Sequence, residues 1–240
     1  MKILVIPDIH GRDTWKYFGD LKHLCKLPHL ETEYNKYIFL GDYVDSFTIS
    51  NAKILSNLKE IIQLKKYYPE HVVLLLGNHD LQYMFSSRYH GCSGYRPETY
   101  AELHNLFNKE KSLFESIYQI ENYLFSHAGI TSVWWNKFIS NLKENGIEYS
   151  KETSIADIIT DQFKSYNAYL FDVGVIRSGR NKSGGPFWAD KTETMAWPLP
   201  NYIQIVGHTP IKKIIAHQTN IYNSRIIYTD CITNSYELEI

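Results

Sequence analysis

Five short apolar runs in this sequence stop in the same way, and that recurrence constrains the fold more than any overall total. KILVI (2–6) gives way to Pro-Asp, with Asp8 and His10 just beyond. KYIFL (36–40) stops at Gly41 and is followed by Asp42 and Asp45. HVVLLL (71–76) stops at Gly77, and Asn78, His79 and Asp80 come next. YLFS (123–126) leads directly to His127, and YIQIV (202–206) leads through Gly207 to His208. Runs of this length with glycine or proline stops read as buried β-strands.

Helix-length segments separate the first three runs. A mixed segment over 14–27 reads as helix, ended by Pro28. Ser50 is placed to cap a helix running to Tyr68, with Ile54, Leu58, Ile61, Ile62 and Leu64 as its buried stripe and Pro69 as its stop. The βαβαβ order implies a parallel sheet with right-handed crossovers. Further on, the pattern predicts a helix near 81–87, a polar loop near 88–97, a helical region from Pro97, and a hairpin turning at Glu121-Asn122. Two more helices follow, one carrying Trp135, Phe138, Ile139 and Leu142 up to Gly146 and one over 153–166. A Gly/Ser-rich loop spans 177–186, and the end is strand-rich through IKKIIAH, RIIYT and SYELEI. No repeat or linker divides the chain, so residues 1–240 read as a single domain.

The totals close off several classes. A net charge of -1 supplies no general basic field for nucleic acid or an anionic membrane. Cys25, Cys92 and Cys231 are odd in number and widely spaced, which fits neither a disulfide framework nor a zinc knuckle. That usage points to a reducing compartment. No run is apolar and long enough for a signal peptide or a membrane span. The expectation is a soluble cytoplasmic protein, with nothing to fix its oligomeric state.

In an open α/β sheet, ligands bind at the carboxyl ends of the strands. One such end with an Asp or Asn is ordinarily a turn or a helix cap. Five ends carrying Asp, His, Asp, Asn, His and His form a cluster that is costly to desolvate without a cation. The donors are hard oxygen and imidazole without thiolate, which favours manganese, iron, zinc or a similar ion. A pair of such ions suits in-line displacement at phosphorus.

The order DxH, GDxxD, GNHD, HAG, GH, from Asp8 to His208, resembles the calcineurin-like metallophosphoesterases. PDIHG, GDYVD, GNHD and HAG are most similar to the phosphoprotein-phosphatase branch, which includes bacterial and phage serine/threonine phosphatases and symmetrical diadenosine-tetraphosphate hydrolases. The resemblance implies an α/β fold of two mixed β-sheets packed as a sandwich and flanked by helices. It implies a cofactor of two divalent ions, manganese first, with iron, zinc, nickel or cobalt as alternatives. Asp8 and His10 are implied ligands of the first ion, Asp42 of both, and Asn78, His127 and His208 of the second. It further implies attack on phosphorus by a metal-bridging hydroxide, with His79 as general acid oriented by Asp45. Asp80 reads as a helix N-cap or as a support to the ligands. The implied substrate is a phosphomonoester on a protein or small molecule. A diadenosine-tetraphosphate or other nucleotide hydrolase is the alternative, and a non-catalytic metal-binding scaffold is the rival from another class.

Two positions depart from the family pattern. Ser46 stands where that branch carries an arginine that clamps phosphate, so Arg12, Arg177 and Arg180 become candidates for the missing charge. In PFWAD (186–190), Asp190 stands where related bacterial sequences often have arginine. HGCSGYR (90–96) superficially resembles a cysteine-phosphatase loop, but only three residues separate Cys92 from Arg96, too few to wrap a phosphate. No GxxxxGK[ST] occurs. The histidines outside the motifs read as surface or satisfied groups, with His90 the one placed to touch substrate.

Overall fold

The computed structural model describes residues 1–27, 29–85, 91–219 and 223–240. The chain divides into two compact units. The first comprises residues 1–115 and 229–240, and the second residues 116–228. Each holds one five-stranded mixed sheet accompanied by helices, so the expected mixed α/β class with two mixed sheets is what the chain adopts.

In the first unit, β1 (Lys2–Ile6), β2 (Lys36–Phe39), β3 (Val72–Leu75) and β4 (Phe114–Glu115) run parallel. β10 (Tyr236–Glu239) returns antiparallel along β1. Nearly every residue of β1, β2 and β3 is buried, which is why they read as continuous apolar runs rather than alternating ones. Burying each of the Val and Leu side chains of β3 contributes about 1.5–3 kcal/mol. Helix α2 (Asn51–Tyr67) starts where expected: Ser50 Oγ accepts the Lys53 N–H at 3.4 Å, and Ile54, Leu58, Ile61, Ile62 and Leu64 are buried. The segment 14–27 does not form one helix. Phe18 is extended (φ -89°, ψ 127°), so only a 3-10 turn (Thr14–Tyr17) and a single helical turn, α1 (Leu21–Leu24), form. Helix α3 (Asn78–Met84) starts earlier than the pattern predicts, at the motif itself. Helix α4 (Tyr100–Lys109) follows a 3-10 turn that begins at Pro97.

In the second unit the order is β5 (Tyr118–Ile120), β6 (Tyr123–Ser126), β7 (Ile203–Val206), β9 (Ser224–Tyr228) and β8 (Ile215–Thr219). β6, β7 and β9 are parallel, while β5 and β8 are antiparallel edges. The β5–β6 hairpin turns at Glu121, whose φ is +50°. Helices α5 (Ser132–Glu144) and α6 (Ile155–Lys164) occupy the predicted stretches, capped by Thr131 and Ser154. Helix α7 (Lys191–Ala196) has no strong periodicity and was not expected. It is set by a capping box in which Asp190 Oδ1 accepts the Thr192 N–H and Glu193 accepts the Asp190 N–H. Among the described residues, no helix is long and apolar enough to cross a membrane.

Candidate active site

Register decides where the motifs emerge. Ile6 lies beside Phe39 and Phe39 beside Leu74, so β1, β2 and β3 end in line. Asp8, Asp42 and Asn78 therefore leave the same edge of the first sheet. In the second sheet Ser126 lies beside Val206, so His127 and His208 also share one edge. The polar residues fall into two groups, one in each unit.

In the first unit, the loop ends are knitted by backbone bonds. The Ile9 and His10 N–H groups donate to the Asp42 carbonyl at 3.1 and 2.6 Å, and the Gly11 N–H donates to the Tyr43 carbonyl at 2.9 Å. The β2 and β3 ends touch through two glycines. A Cβ on Gly41, whose φ is +101°, would lie 2.4 Å from the Gly77 nitrogen. A Cβ on Gly77 would lie 2.1 Å from Asp42 Oδ1. These glycines are therefore a condition of bringing Asp42 and Asn78 together, beyond any need for a turn.

Asp80 fastens the same junction. Its fully buried carboxylate accepts the N–H groups of Asp42 and Gly77 at Oδ2 and of Tyr43 at Oδ1, all at 2.8 Å. Of the two roles its position in the sequence allows, it is not the N-cap. Gly77 holds that position, and Asp80 reaches back to it from the third residue of the helix. Its role is the supporting one, tying the β2 and β3 ends.

His10 Nδ1 lies 3.1 Å from the carbonyls of Val44 and Asp45. A proton on Nδ1 satisfies those carbonyls, which leaves Nε2 as the lone-pair nitrogen. That Nε2 is 3.7 Å from Asp42 Oδ2. Candidate donor atoms of His10, Asp42 and His79 all lie within 4.8 Å of one another. Two donors each about 2.0–2.2 Å from one ion are separated by at most about 4.4 Å, so the His10–Asp42 spacing fits a shared divalent ion. Burial pushes the His10 pKa below its ordinary value despite the nearby Asp42 carboxylate, which keeps the ring in the neutral form that coordination requires.

His79 is held differently. Its N–H donates to Asp42 Oδ1 at 2.9 Å, and its Nδ1 lies 2.8 Å from Asp45 Oδ2. Asp45 in turn accepts from the Gln82 amide and, at 2.5 Å, from the Tyr83 hydroxyl. Burial opposes charge on the imidazole, but Asp42 and Asp45 together outweigh it and raise the His79 pKa. Sequence reasoning missed Gln82 and Tyr83. Their only signal is spacing, since residues three and four positions past His79 face the same side of a helix.

In the second unit, fully buried His127 and largely buried His208 bring Nε2 and Nδ1 to 3.1 Å, with ring centroids 4.9 Å apart. The Gly207 N–H donates to the His127 carbonyl at 2.8 Å, which ties the β6 and β7 ends. Arg177 Nε lies 2.9 Å from Asp190 Oδ2, and another of its nitrogens donates to Thr209 Oγ1 at 2.7 Å, next to His208. Asp190, unusual for the branch, is thus the partner of Arg177. Arg12 donates to the Asp8 carbonyl at 2.9 Å, and Arg180 is exposed. His90 lies outside the described residues. Cys92 is buried, and that burial raises its pKa well above the usual thiol range, so it is not the activated thiolate a nucleophile needs.

Four of these positions have left-handed backbone. Among the described non-glycine residues with positive φ are His10 (45°), Asp42 (50°), Asp45 (61°) and His208 (64°). Such conformations cost about 1–3 kcal/mol each and persist where surrounding bonds enforce them.

Residues 1–212 match the calcineurin-like phosphoesterase family. The chain belongs to that family. Human serine/threonine-protein phosphatase 5 is 36% identical over 109 residues, 45% of this chain and 20% of that protein. Serine/threonine-protein phosphatase T of Trypanosoma brucei brucei is 31% identical over 133 residues, 55% of this chain and 26% of the relative. The match thus spans about a fifth to a quarter of the length of these curated relatives. A solved cold-active protein tyrosine phosphatase shares the fold at a TM-score of 0.51 and 17% identity, over 97% of this chain and 70% of that one. Membership in the calcineurin-like family carries with it the implication of divalent metal, and the His/Asp cluster of the first unit is chemically suited to hold it.

Proposed function

We propose that this chain is a metal-dependent phosphomonoesterase that works with two divalent ions, manganese in use, on a phosphorylated protein or a small phosphoester. Family membership supports phosphoester hydrolysis. The observation that carries the mechanism is the His79–Asp45 pair at 2.8 Å, one residue from Asn78 and bonded through its backbone to Asp42. A site kept only to bind metal has no use for such a pair.

The assignment gives Asp8 and His10 to one ion, Asp42 to both, and Asn78, His127 and His208 to the other. In this reading residues 1–240 act as one functional domain. When bound, the ions would neutralise phosphate charge and acidify water enough for it to attack phosphorus at neutral pH. The chain's own residues do the rest. His79 donates the proton that the leaving oxygen requires. Asp45 orients the ring through Nδ1 and stabilises its charged form, and it keeps that influence when Asp42 is engaged by cations. Gln82 and Tyr83 hold Asp45 in place. Arg177, bonded to Asp190 and Thr209, and Arg12, on the Asp8 carbonyl, are assigned to meet phosphate in place of the arginine absent at Ser46. The exposed Arg180 has no such anchor. The serine/threonine-protein phosphatases to which the chain is similar favour a phosphomonoester over a nucleotide polyphosphate. Three free cysteines favour a reducing, cytoplasmic setting.

The test is turnover of p-nitrophenyl phosphate by the metal-free protein with and without added manganese. A panel then compares kcat/KM for a phosphopeptide, diadenosine tetraphosphate, a mononucleotide and a cyclic nucleotide. Manganese-dependent turnover led by the phosphopeptide is expected. A lead for diadenosine tetraphosphate moves the reading to nucleotide hydrolysis. No turnover of any member, with manganese bound, leaves a metal-binding scaffold.

A further inference from the structure

The segment from Cys92 to Arg96 takes no part in the mechanism above, yet it is bonded to three of the residues that do. Cys92 Sγ accepts from the Asn78 side-chain nitrogen at 3.2 Å. The same sulfur lies 3.5 Å from the Asn78 backbone carbonyl, in position to donate its proton there. The Cys92 N–H donates at 2.9 Å to Gln82 Oε1, the other end of the amide that holds Asp45. Four residues on, the Arg96 N–H donates at 3.2 Å to the Tyr83 hydroxyl, the second group on Asp45.

A carboxamide presents oxygen or nitrogen depending on which way it is turned, and only the oxygen has a lone pair for a cation. Something must therefore choose the orientation of an asparagine ligand before metal arrives. Sulfur is a weak acceptor, but here it is buried, close, and fixed by its own bonds. It accepts from the amide nitrogen and donates to the backbone carbonyl of the same residue. We propose that Cys92 is a positioning residue: its thiol turns the Asn78 amide so that Oδ1 is the atom offered to metal. The proposal rests on the assignment of Asn78 as a ligand made above. Groups that orient ligands in this way typically change metal affinity by about 10–100-fold when removed.

Cys92→Val keeps the position filled by apolar atoms, with one methyl more than the thiol, and removes both side-chain hydrogen bonds, while Cys92→Ser keeps a donor and an acceptor on a shorter arm. The experiment titrates manganese into the metal-free wild type and both variants by calorimetry, beside the melting temperature of each metal-free protein. The expected result is two binding steps in the wild type, one of which weakens about tenfold in Cys92→Val and is largely recovered in Cys92→Ser. Turnover of Cys92→Val should be regained by raising manganese, since the defect is in occupancy. If Cys92→Val does not fold, Cys92→Ala carries the same comparison. Wild-type manganese affinity in Cys92→Val overturns the proposal, as does an equal loss in the valine and serine variants, which marks a packing effect. A lower melting temperature with unchanged affinity marks a merely structural role and also overturns it. A wild type that takes up no manganese fails at the parent reading, and this inference falls with it.

Discussion

Replacing Asp80 by asparagine removes one charge and turns one acceptor oxygen into a donor, at a position with no solvent to compensate. The native carboxylate accepts three backbone N–H groups, two at Oδ2 and one at Oδ1. In the better of its two orientations the amide keeps the Asp42 and Gly77 donors and sets its NH2 against the Tyr43 N–H. That orphaned donor costs about 1–3 kcal/mol. The two retained bonds become neutral, each losing about 1 kcal/mol of charge assistance. Relief from burying a carboxylate offsets part of this. The net loss is about 2–4 kcal/mol, which for a chain of this size lowers the melting temperature by about 5–15 °C.

The same substitution has a second, separable effect. Asp42 sits at φ +50°, and its N–H is held by Asp80. With that bond weakened and the adjoining Tyr43 bond lost, the Asp42 backbone can relax and carry its carboxylate away from His10. Manganese affinity should then fall about tenfold or more, as expected for a group that orients a ligand. Differential scanning fluorimetry of the metal-free protein and calorimetric manganese titration measure the two effects. A melting temperature within about 1 °C of wild type, with unchanged affinity, refutes the claim that Asp80 holds the β2 and β3 ends together.

Three further expectations follow from the same geometry. His79→Ala should lower turnover of an alkyl phosphate by about 10²–10⁴-fold and that of p-nitrophenyl phosphate far less, since p-nitrophenolate leaves without a proton. Equal losses on both, or a loss of bound manganese measured by elemental analysis, would remove the acid assignment. Gly77→Ala pushes a methyl into Asp42 Oδ1 and should cost about 1–3 kcal/mol together with most of the manganese affinity, read by melting and titration. Burial raises the Cys25 thiol to about 11. Its alkylation by iodoacetamide, followed on the Cys25 peptide by mass spectrometry, should keep rising about tenfold per pH unit from 8 to 9.5, where an ordinary thiol near 8.5 levels off. A plateau near pH 9 contradicts that shift.

Much of the fold was readable because burial writes itself into composition. The three central strands of the first unit are covered on both faces, so they appear as unbroken apolar runs, and their stops mark the sheet edge. The hairpin at Glu121 and the cap at Ser50 are local signals with local causes. The segment 14–27 reads as one mixed helix, but Phe18 is extended and Gly19 has a φ of +51°, which breaks it into two short turns. Helix α7 was invisible because its six residues are fixed by Asp190 and Glu193 rather than by periodicity.

The candidate site was legible to a different depth. Residue types at strand ends were enough to nominate candidate donors, because so many carboxylates and imidazoles are costly to bury without a cation. The parts that aim those donors were not legible. Asp80 read equally as a cap or a support, and nothing marked Gln82, Tyr83 or Cys92 as parts of the site. Each acts across a gap of at least ten residues or through a backbone N–H, which no local pattern encodes. The positive φ of Asp42 has the same origin. It is held by the Asp80 carboxylate on its N–H and by the Ile9 and His10 N–H groups on its carbonyl, partners more than thirty residues away that local sequence does not display.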